Sequence, residues 1–262
     1  SYCRVGDLEM NEICIKTVKN IVMEIGETRA SKTVKNMMGP FRSVFDYAVE
    51  NDWCKINAPA RISPTTWKEL IGGKRKKKDL AQRIASPIID AVIECADTDF
   101  RLRIKFTVKT GVRSGELRAL LWSDVDFEKK KIDINKAAEK AEQGQSVGYP
   151  KTDAGNRPIA LTDELVTELK AWRLLSPWSR DNDLIFPGRS GAMMGPNTLN
   201  GEKSSKKRGR RAKGLKAAIE KAAAKYPELK ITEFTWHDLR HYFASNLIFN
   251  ANLSVKEVAR EM

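Results

Sequence analysis

Histidine is scarce in this chain: 262 residues contain two, His237 and His241, both in "TWHDLRHYFASNL" with Arg240 between them. Cysteine is sparse as well. Cys3, Cys14, Cys54 and Cys95 are widely spaced, make no Cys-x-x-Cys and have no histidine nearby. That arrangement argues against a structural zinc site and gives no reason to invoke disulfides, so they read as reduced thiols. No apolar run approaches the length of a membrane span, and the first residues lack a charged-then-apolar signal pattern. The expectation is a cytoplasmic protein with no membrane contact and no metal or other cofactor.

Positive charge is what the chain has in excess. The net charge is +13. Residues 1–73 hold 10 Lys+Arg against 9 Asp+Glu, leaving 37 against 25 for residues 74–262. An excess placed in the last three quarters of the chain favours a nucleic acid over a membrane surface. Two stretches concentrate it. "GGKRKKKDL" (72–80) contains Lys74, Arg75, Lys76, Lys77 and Lys78 in succession, and "EKSSKKRGRRAKGLK" (202–216) contains Lys206, Lys207, Arg208, Arg210 and Arg211. The first reads as an interdomain linker, either solvated or lying against phosphates. The second is a solvated loop, a nuclear-localisation-like tract or a strip along a DNA backbone.

Apolar residues at three-to-four spacing predict helices in 11–25 and 34–51. Beyond the linker the pattern is mixed. Helices are predicted from Ser86 as cap with Pro87 at the first position, over 99–110 ending at Gly111, over 113–122, after Thr162, and after Thr235, where Asp238 completes a capping box. Ser254 would cap a last short helix. "VDF", "KKIDIN" and "RPIAL" predict a small antiparallel sheet with a long hairpin loop over about 136–156, and "LIF" (184–186) a further strand. The class is therefore mainly α with a small antiparallel β-sheet (α+β): a helical domain over 1–71, a linker over 72–80 and a mixed domain over 81–262.

Three stretches carry candidate chemistry. Behind the Thr235 cap, His237 and Arg240 lie one turn apart at a helix N-terminus, a place that suits a phosphate; His241 points partly elsewhere. In "TGVRSGELRALLW" (110–122), Arg113 sits at the mouth of a helix with Glu116 three residues on, an arginine braced by a carboxylate or simply a helix-cap ion pair. In "YPKTDAGNRPIAL" (149–161), Lys151 stands beside a turn-rich segment, able to give a proton to a leaving oxygen or merely solvated, and Arg157 precedes a strand. Taken singly, each has an ordinary structural explanation.

Their order does not. Gly-Val-Arg-x-x-Glu-Leu, then Lys-Thr-x-x-x-x-Arg-Pro-Ile-x-Leu, then His-Asp-Leu-Arg-His resembles the tyrosine recombinase (phage integrase) family over about 79–262. "VKNMMGPFRSVFDYAVENDWCKINAP" (34–59) is similar to that family's core-binding domain. The resemblance implies site-specific breaking and rejoining of DNA through a 3′-phosphotyrosyl intermediate, without metal, for integration or excision of phage or mobile DNA. By position, Arg113 and Arg240 would hold the scissile phosphate, Lys151 would be the general acid for the 5′-oxygen, and His237 would assist as acid/base or donor. Glu116 and His241 would be supporting residues. It implies double-stranded DNA as partner, usually in a tetramer, with possible accessory DNA-bending proteins.

The family's pattern continues after a helix like "SVKEVAREM" with Leu-Gly-His and then the nucleophile. None of Tyr2, Tyr47, Tyr149, Tyr226 and Tyr242 stands at that position, and Tyr242 occupies a place the family usually gives to a small residue. The expectation is a polypeptide that binds DNA without cleaving it, its nucleophile falling beyond Met262. Two alternatives stand beside it. A non-catalytic, integrase-derived DNA-binding regulator would share the pattern without the tyrosine. A metal-dependent nuclease would need converging carboxylates, for which Asp124 and Asp126 are the only hint.

Overall fold

The computed structural model describes residues 6, 8–71, 84–140, 145–148, 156–201, 214–250, 253–254 and 257–258. The chain divides into two compact units, Ser1–Ala81 and Gln82–Met262.

The first unit is helical. Helix α1 spans Ile15–Thr28, α2 Ser31–Glu50 and α3 Pro64–Ile71. Each buries one stripe at helical spacing: Val18 and Val22 from α1, Val34, Met38, Phe45 and Ala48 from α2, Trp67 and Ile71 from α3. Each large side chain removed from water in this way contributes about 1.5–3 kcal/mol. Pro40 lies inside α2, where it has no N–H to return to the preceding turn. Asn57 fastens the "INAP" segment: its amide donates to the Arg42 carbonyl at 3.0 Å and its oxygen accepts from the Ala60 N–H at 2.9 Å.

The second unit is built around a helix buried on nearly all sides, α5, Thr98–Thr110. Phe100, Leu102, Ile104, Phe106 and Val108 are buried along it, and the hydroxyls of Thr107 and Thr110 return to the Arg103 and Phe106 carbonyls at 2.9 and 2.6 Å. Arg103, also buried, lies 4.9 Å from the Phe100 ring and 5.6 Å from that of Phe186, and donates to the Pro187 carbonyl at 2.8 Å. Around α5 are grouped α4 (Ser86–Cys95), α6 (Ser114–Ala119), α7 (Asp163–Leu175), α8 (Pro196–Asn200), α9 (Leu215–Lys225) and α10 (Trp236–Asn250). Strands β1 (Val125–Asp126), β2 (Lys131–Ile134) and β5 (Arg157–Ala160) form an antiparallel sheet in the order β1-β2-β5, and β3 (Ala137–Lys140) pairs with β4 (Gln145–Gly148). The unit is mainly helical with small antiparallel sheets, as the sequence pattern implies. Among the described residues, no helix is long and apolar enough to cross a membrane.

Four local expectations are corrected. The stretch 136–156 is not all loop, since β3 and β4 form a hairpin inside it. The helix expected over 113–122 stops at Ala119, because the Leu120 carbonyl accepts from Ile185 N–H and the Trp122 N–H donates to the Asp183 carbonyl. "LIF" therefore gives a single bridge, Leu121 to Leu184, rather than a strand, and Pro187 prevents its extension. Ser86 is the first residue of α4, not its cap; Ala85 holds that place, and the Ser86 hydroxyl lies 2.9 Å from the Tyr242 hydroxyl instead. By contrast, Gly111 does end α5, at φ +65°, and Thr162 does cap α7, accepting from Leu165 N–H at 3.3 Å.

Gly111 meets two demands. Its positive φ suits glycine, and a β-carbon there would stand 2.2 Å from Cδ1 of Phe243 on α10. Gly111→Ala is expected to cost about 1 kcal/mol in backbone strain and about 1–3 kcal/mol in displaced packing. A lowered urea midpoint for the second unit checks this; an unchanged midpoint would show that Phe243 moves freely.

Candidate active site

The site begins with a strand that carries a charge inward. On β5, Arg157 and Ile159 are buried while Pro158 and Ala160 are exposed, the alternation expected of a half-buried strand. The register pairs Ile159 with Ile132 and Arg157 with Ile134, and both of those β2 residues are buried. Arg157 is thus aimed into the core, where a guanidinium requires an anionic partner. Glu116 supplies it: Arg157 Nη1 and Nη2 donate to Glu116 Oε1 and Oε2 at 3.2 and 2.9 Å. The two side chains are 8% and 7% exposed.

Glu116 sits in the first turn of α6 and also braces the residue before that helix. Its Oε2 accepts the Arg113 backbone N–H at 2.8 Å, half of a capping box, and its Oε1 accepts Arg113 Nη1 at 2.8 Å. Burial by itself would raise the Glu116 carboxyl. Hydrogen bonds from Arg157 and from the Arg113 N–H, then the Arg157 charge and the Arg113 side-chain hydrogen bond, more than offset that and hold it below its ordinary value. Arg113, by contrast, keeps 55% of its side chain exposed.

Helix α10 brings the other members. Its start carries the expected capping box, Thr235 N–H to Asp238 Oδ2 at 2.8 Å and Asp238 N–H to Thr235 Oγ1 at 3.4 Å. One turn in, Arg240 is 4% exposed and donates through Nη1 to the carbonyl of Gly111, two residues before Arg113. Burial pushes its pKa down to about 10, with the Arg113 charge next in effect, so it stays cationic at neutral pH. His237 is exposed, and its ring stands edge-on to His241, centroids 4.4 Å apart. Desolvation first, then the neighbouring His241, with smaller contributions from Arg240 and Arg113, outweigh the opposing effect of Asp238 and hold the His237 imidazole below its ordinary pKa.

The structure thus places Arg113, Glu116, His237, Arg240 and His241 in one neighbourhood. Lys151, Lys74, Arg75, Lys76, Lys77, Lys78, Lys206, Lys207, Arg208, Arg210 and Arg211 lie outside the described residues. Arg157 joins the site without having been counted in it. The signal was present, since Arg-Pro-Ile-Ala alternates and puts the arginine on the same face as Ile159. Arg118 was passed over too: buried in α6, it donates to the Ser114, Met194 and Ala138 carbonyls at 3.2, 2.9 and 3.4 Å, fastening α6 to β3. Asp124 is committed elsewhere, paired with Lys136 Nζ at 2.5 Å and accepting the Leu121 N–H at 2.7 Å. Asp126 accepts the Lys129 N–H at 2.9 Å. Among the described residues no cluster of three or more His, Cys, Asp or Glu is placed to hold a metal ion.

A helical unit with small antiparallel sheets of this kind is a fold already known. The Tn1549 transposon integrase, solved in complex with a circular intermediate DNA, superposes with a TM-score of 0.77 at 17% identity over 97% of this chain and 78% of that one. A λ integrase dimer bound to a COC′ core site gives 0.56 at 12% identity, over 98% and 80%. In sequence, the transposase from transposon Tn916 of Enterococcus faecalis is 30% identical over 154 residues, 58% of this chain and 36% of the relative. The integrase of Staphylococcus phage L54a is 24% identical over 279 residues, covering 98% and 73%. The alignments with the Tn916 transposase and with a XerC-like tyrosine recombinase of Caldanaerobacter subterraneus subsp. tengcongensis span 36% and 39% of those relatives' lengths. The phage integrase family profile matches residues 77–262, and the chain belongs to that family.

Two measurements check the cluster. In an NMR titration the His237 imidazole is expected to protonate below the ordinary value of about 6.5, and His241→Gln to move that midpoint upward; a midpoint at or above 6.5 would contradict the geometry. Glu116→Gln strips the carboxylate from a buried guanidinium and is expected to destabilise the unit by about 3–5 kcal/mol in urea denaturation. A loss under 1 kcal/mol would mean the pair is not formed.

Proposed function

We propose that this chain is the DNA-clasping and catalytic portion of a tyrosine-type site-specific recombinase, which breaks and rejoins duplex DNA without metal or nucleotide energy. The observation that carries this is the cluster itself: Arg113, Arg240 and Arg157 gather around a single carboxylate, Glu116, beside two exposed histidines at the start of α10. So much positive charge near one point is an anion site awaiting its anion. Family membership and the names of the relatives direct that anion to a DNA phosphodiester.

In this reading a tyrosine oxygen attacks the phosphorus, the bond to the 5′-oxygen breaks, and a 3′-phosphotyrosyl link forms. Arg113 and Arg240 hold the non-bridging oxygens as charge builds on them. Lys151 gives the departing 5′-oxygen its proton, and His237, neutral at physiological pH, assists as acid/base or hydrogen-bond donor. Attack by a second 5′-hydroxyl reverses the step and exchanges strands. Residues 1–71 act as a helical DNA-clasping domain, and the basic stretches 74–78 and 206–211 contribute contacts to the DNA backbone. The working assembly is a tetramer on DNA in the cytoplasm, with accessory DNA-bending proteins at some sites. The 262-residue polypeptide itself binds without cleaving. In support, Tyr242 shares a hydrogen bond with Ser86, and the Tyr226 hydroxyl donates to Glu94 at 2.5 Å.

Duplex DNA is expected to bind equally well in EDTA, with an affinity falling steeply with salt, about 0.9 log units per log unit for each phosphate neutralised. Replacing Lys206, Lys207, Arg208, Arg210 and Arg211 by alanine should flatten that slope by several units on every sequence tested. No protein–DNA adduct should survive SDS when a nicked duplex is supplied. An adduct would refute the non-cleaving reading, and a salt slope unchanged by the five substitutions would remove the second basic stretch from the interface.

A further inference from the structure

Glu116 serves two arginines with different surroundings. Both of its oxygens are used twice: Oε1 by Arg113 Nη1 and Arg157 Nη1, Oε2 by the Arg113 N–H and Arg157 Nη2. Arg157 meets it with both terminal nitrogens and is almost wholly buried, whereas Arg113 meets it with one guanidinium nitrogen and keeps more than half its side chain in solvent. One carboxylate carries one negative charge. If Arg113 were its only partner, the pair would be neutral, an ordinary helix-cap ion pair. With Arg157 beside it, the three groups sum to +1, and the solvent-facing member is Arg113.

We infer that Arg157 is a positioning residue: it neutralises Glu116 from the core side, so that Glu116 orients Arg113 by hydrogen bonding without consuming its charge. This rests on the reading of Arg113 as a phosphate-holding group. The fold supplies the geometry. β5 delivers Arg157 to the carboxylate by its inward register against Ile134, and α6 delivers Arg113 from the other side by the cap. The Arg113 cation is thus available because of a residue 44 positions away that faces the core and not the solvent.

The test uses the full chain with inorganic phosphate as probe, followed through the His237 imidazole signals; with two histidines in the chain, His237→Gln assigns them. Arg113→Ala is expected to weaken phosphate binding about tenfold, the loss of one charge-assisted contact. Arg157→Met should weaken it to the same extent, and Arg113→Ala/Arg157→Met no further, because the second substitution acts through the first residue. Glu116→Gln/Arg157→Met removes both charges of the buried pair together and should bind phosphate several-fold more tightly than Arg157→Met alone, because no carboxylate is left to consume the Arg113 charge. Arg157→Lys retains the charge, and it should stay within about threefold of wild type.

A purely structural role for Arg157 predicts otherwise: either unchanged affinity in the folded single variant, or losses that multiply in Arg113→Ala/Arg157→Met. Either result overturns the inference while leaving the phosphate site standing. Unchanged affinity in Arg113→Ala would overturn the site reading and this inference together. Should Arg157→Met fail to fold by circular dichroism, Arg157→Lys decides, and a tenfold loss in that variant would sink it.

Discussion

The buried contact between Glu116 and Arg157 joins three features that the chain supplies far apart: the start of α6, the inward face of β5, and the solvent-facing Arg113. Placing either charge alone in that interior would be severely destabilising, and together they are tolerated because every oxygen of the carboxylate is occupied. The register of the β1-β2-β5 sheet depends on the same contact. A slip of one residue along β5 would turn Arg157 to solvent, put Pro158 inside and leave Glu116 buried with half its partners.

A second junction sits at Gly111, where the central helix ends, the segment leading to Arg113 begins, and α10 crosses with Phe243 against the glycine and Arg240 on its carbonyl. Two separate pieces of the candidate site are thereby referenced to one backbone position. The electrostatic result is a cluster in which burial and the Arg113 charge lower the Arg240 pKa, and desolvation and neighbouring charge lower that of His237. Like charges brought this close repel one another, and the phosphate of the proposed function would relieve that repulsion.

Legibility in the sequence followed locality. Gly111 as a helix end, Thr235 with Asp238 as a capping box, and Arg113 with Glu116 three residues on are all relations within one turn, and the structure bears them out. Where a distant partner competes, local pattern fails. "RALLW" reads as more helix, yet Leu120 and Trp122 bond to Ile185 and Asp183, and the helix ends at Ala119. The β3–β4 hairpin escaped notice because "AAEK" and "QSVG" have little β-propensity; α6 packs against β3, and Arg118 reaches the Ala138 carbonyl. Arg157 reads in sequence only as the residue ahead of a strand, because its partner Glu116 lies 41 residues away.

The sequence by itself therefore determined the class of fold and the family, and singled out Arg113, Glu116, His237 and Arg240 as candidates, because motif spacing, caps and hydrophobic period are all short-range properties of the chain. Tertiary structure alone decided which of those cations is buried and which faces solvent, and it alone joined Arg157 to the site. Burial and charge compensation depend on residues tens of positions apart meeting in space. Glu116 and Arg157 are separated by 41 residues, Gly111 and Arg240 by 129, and no local pattern encodes either meeting.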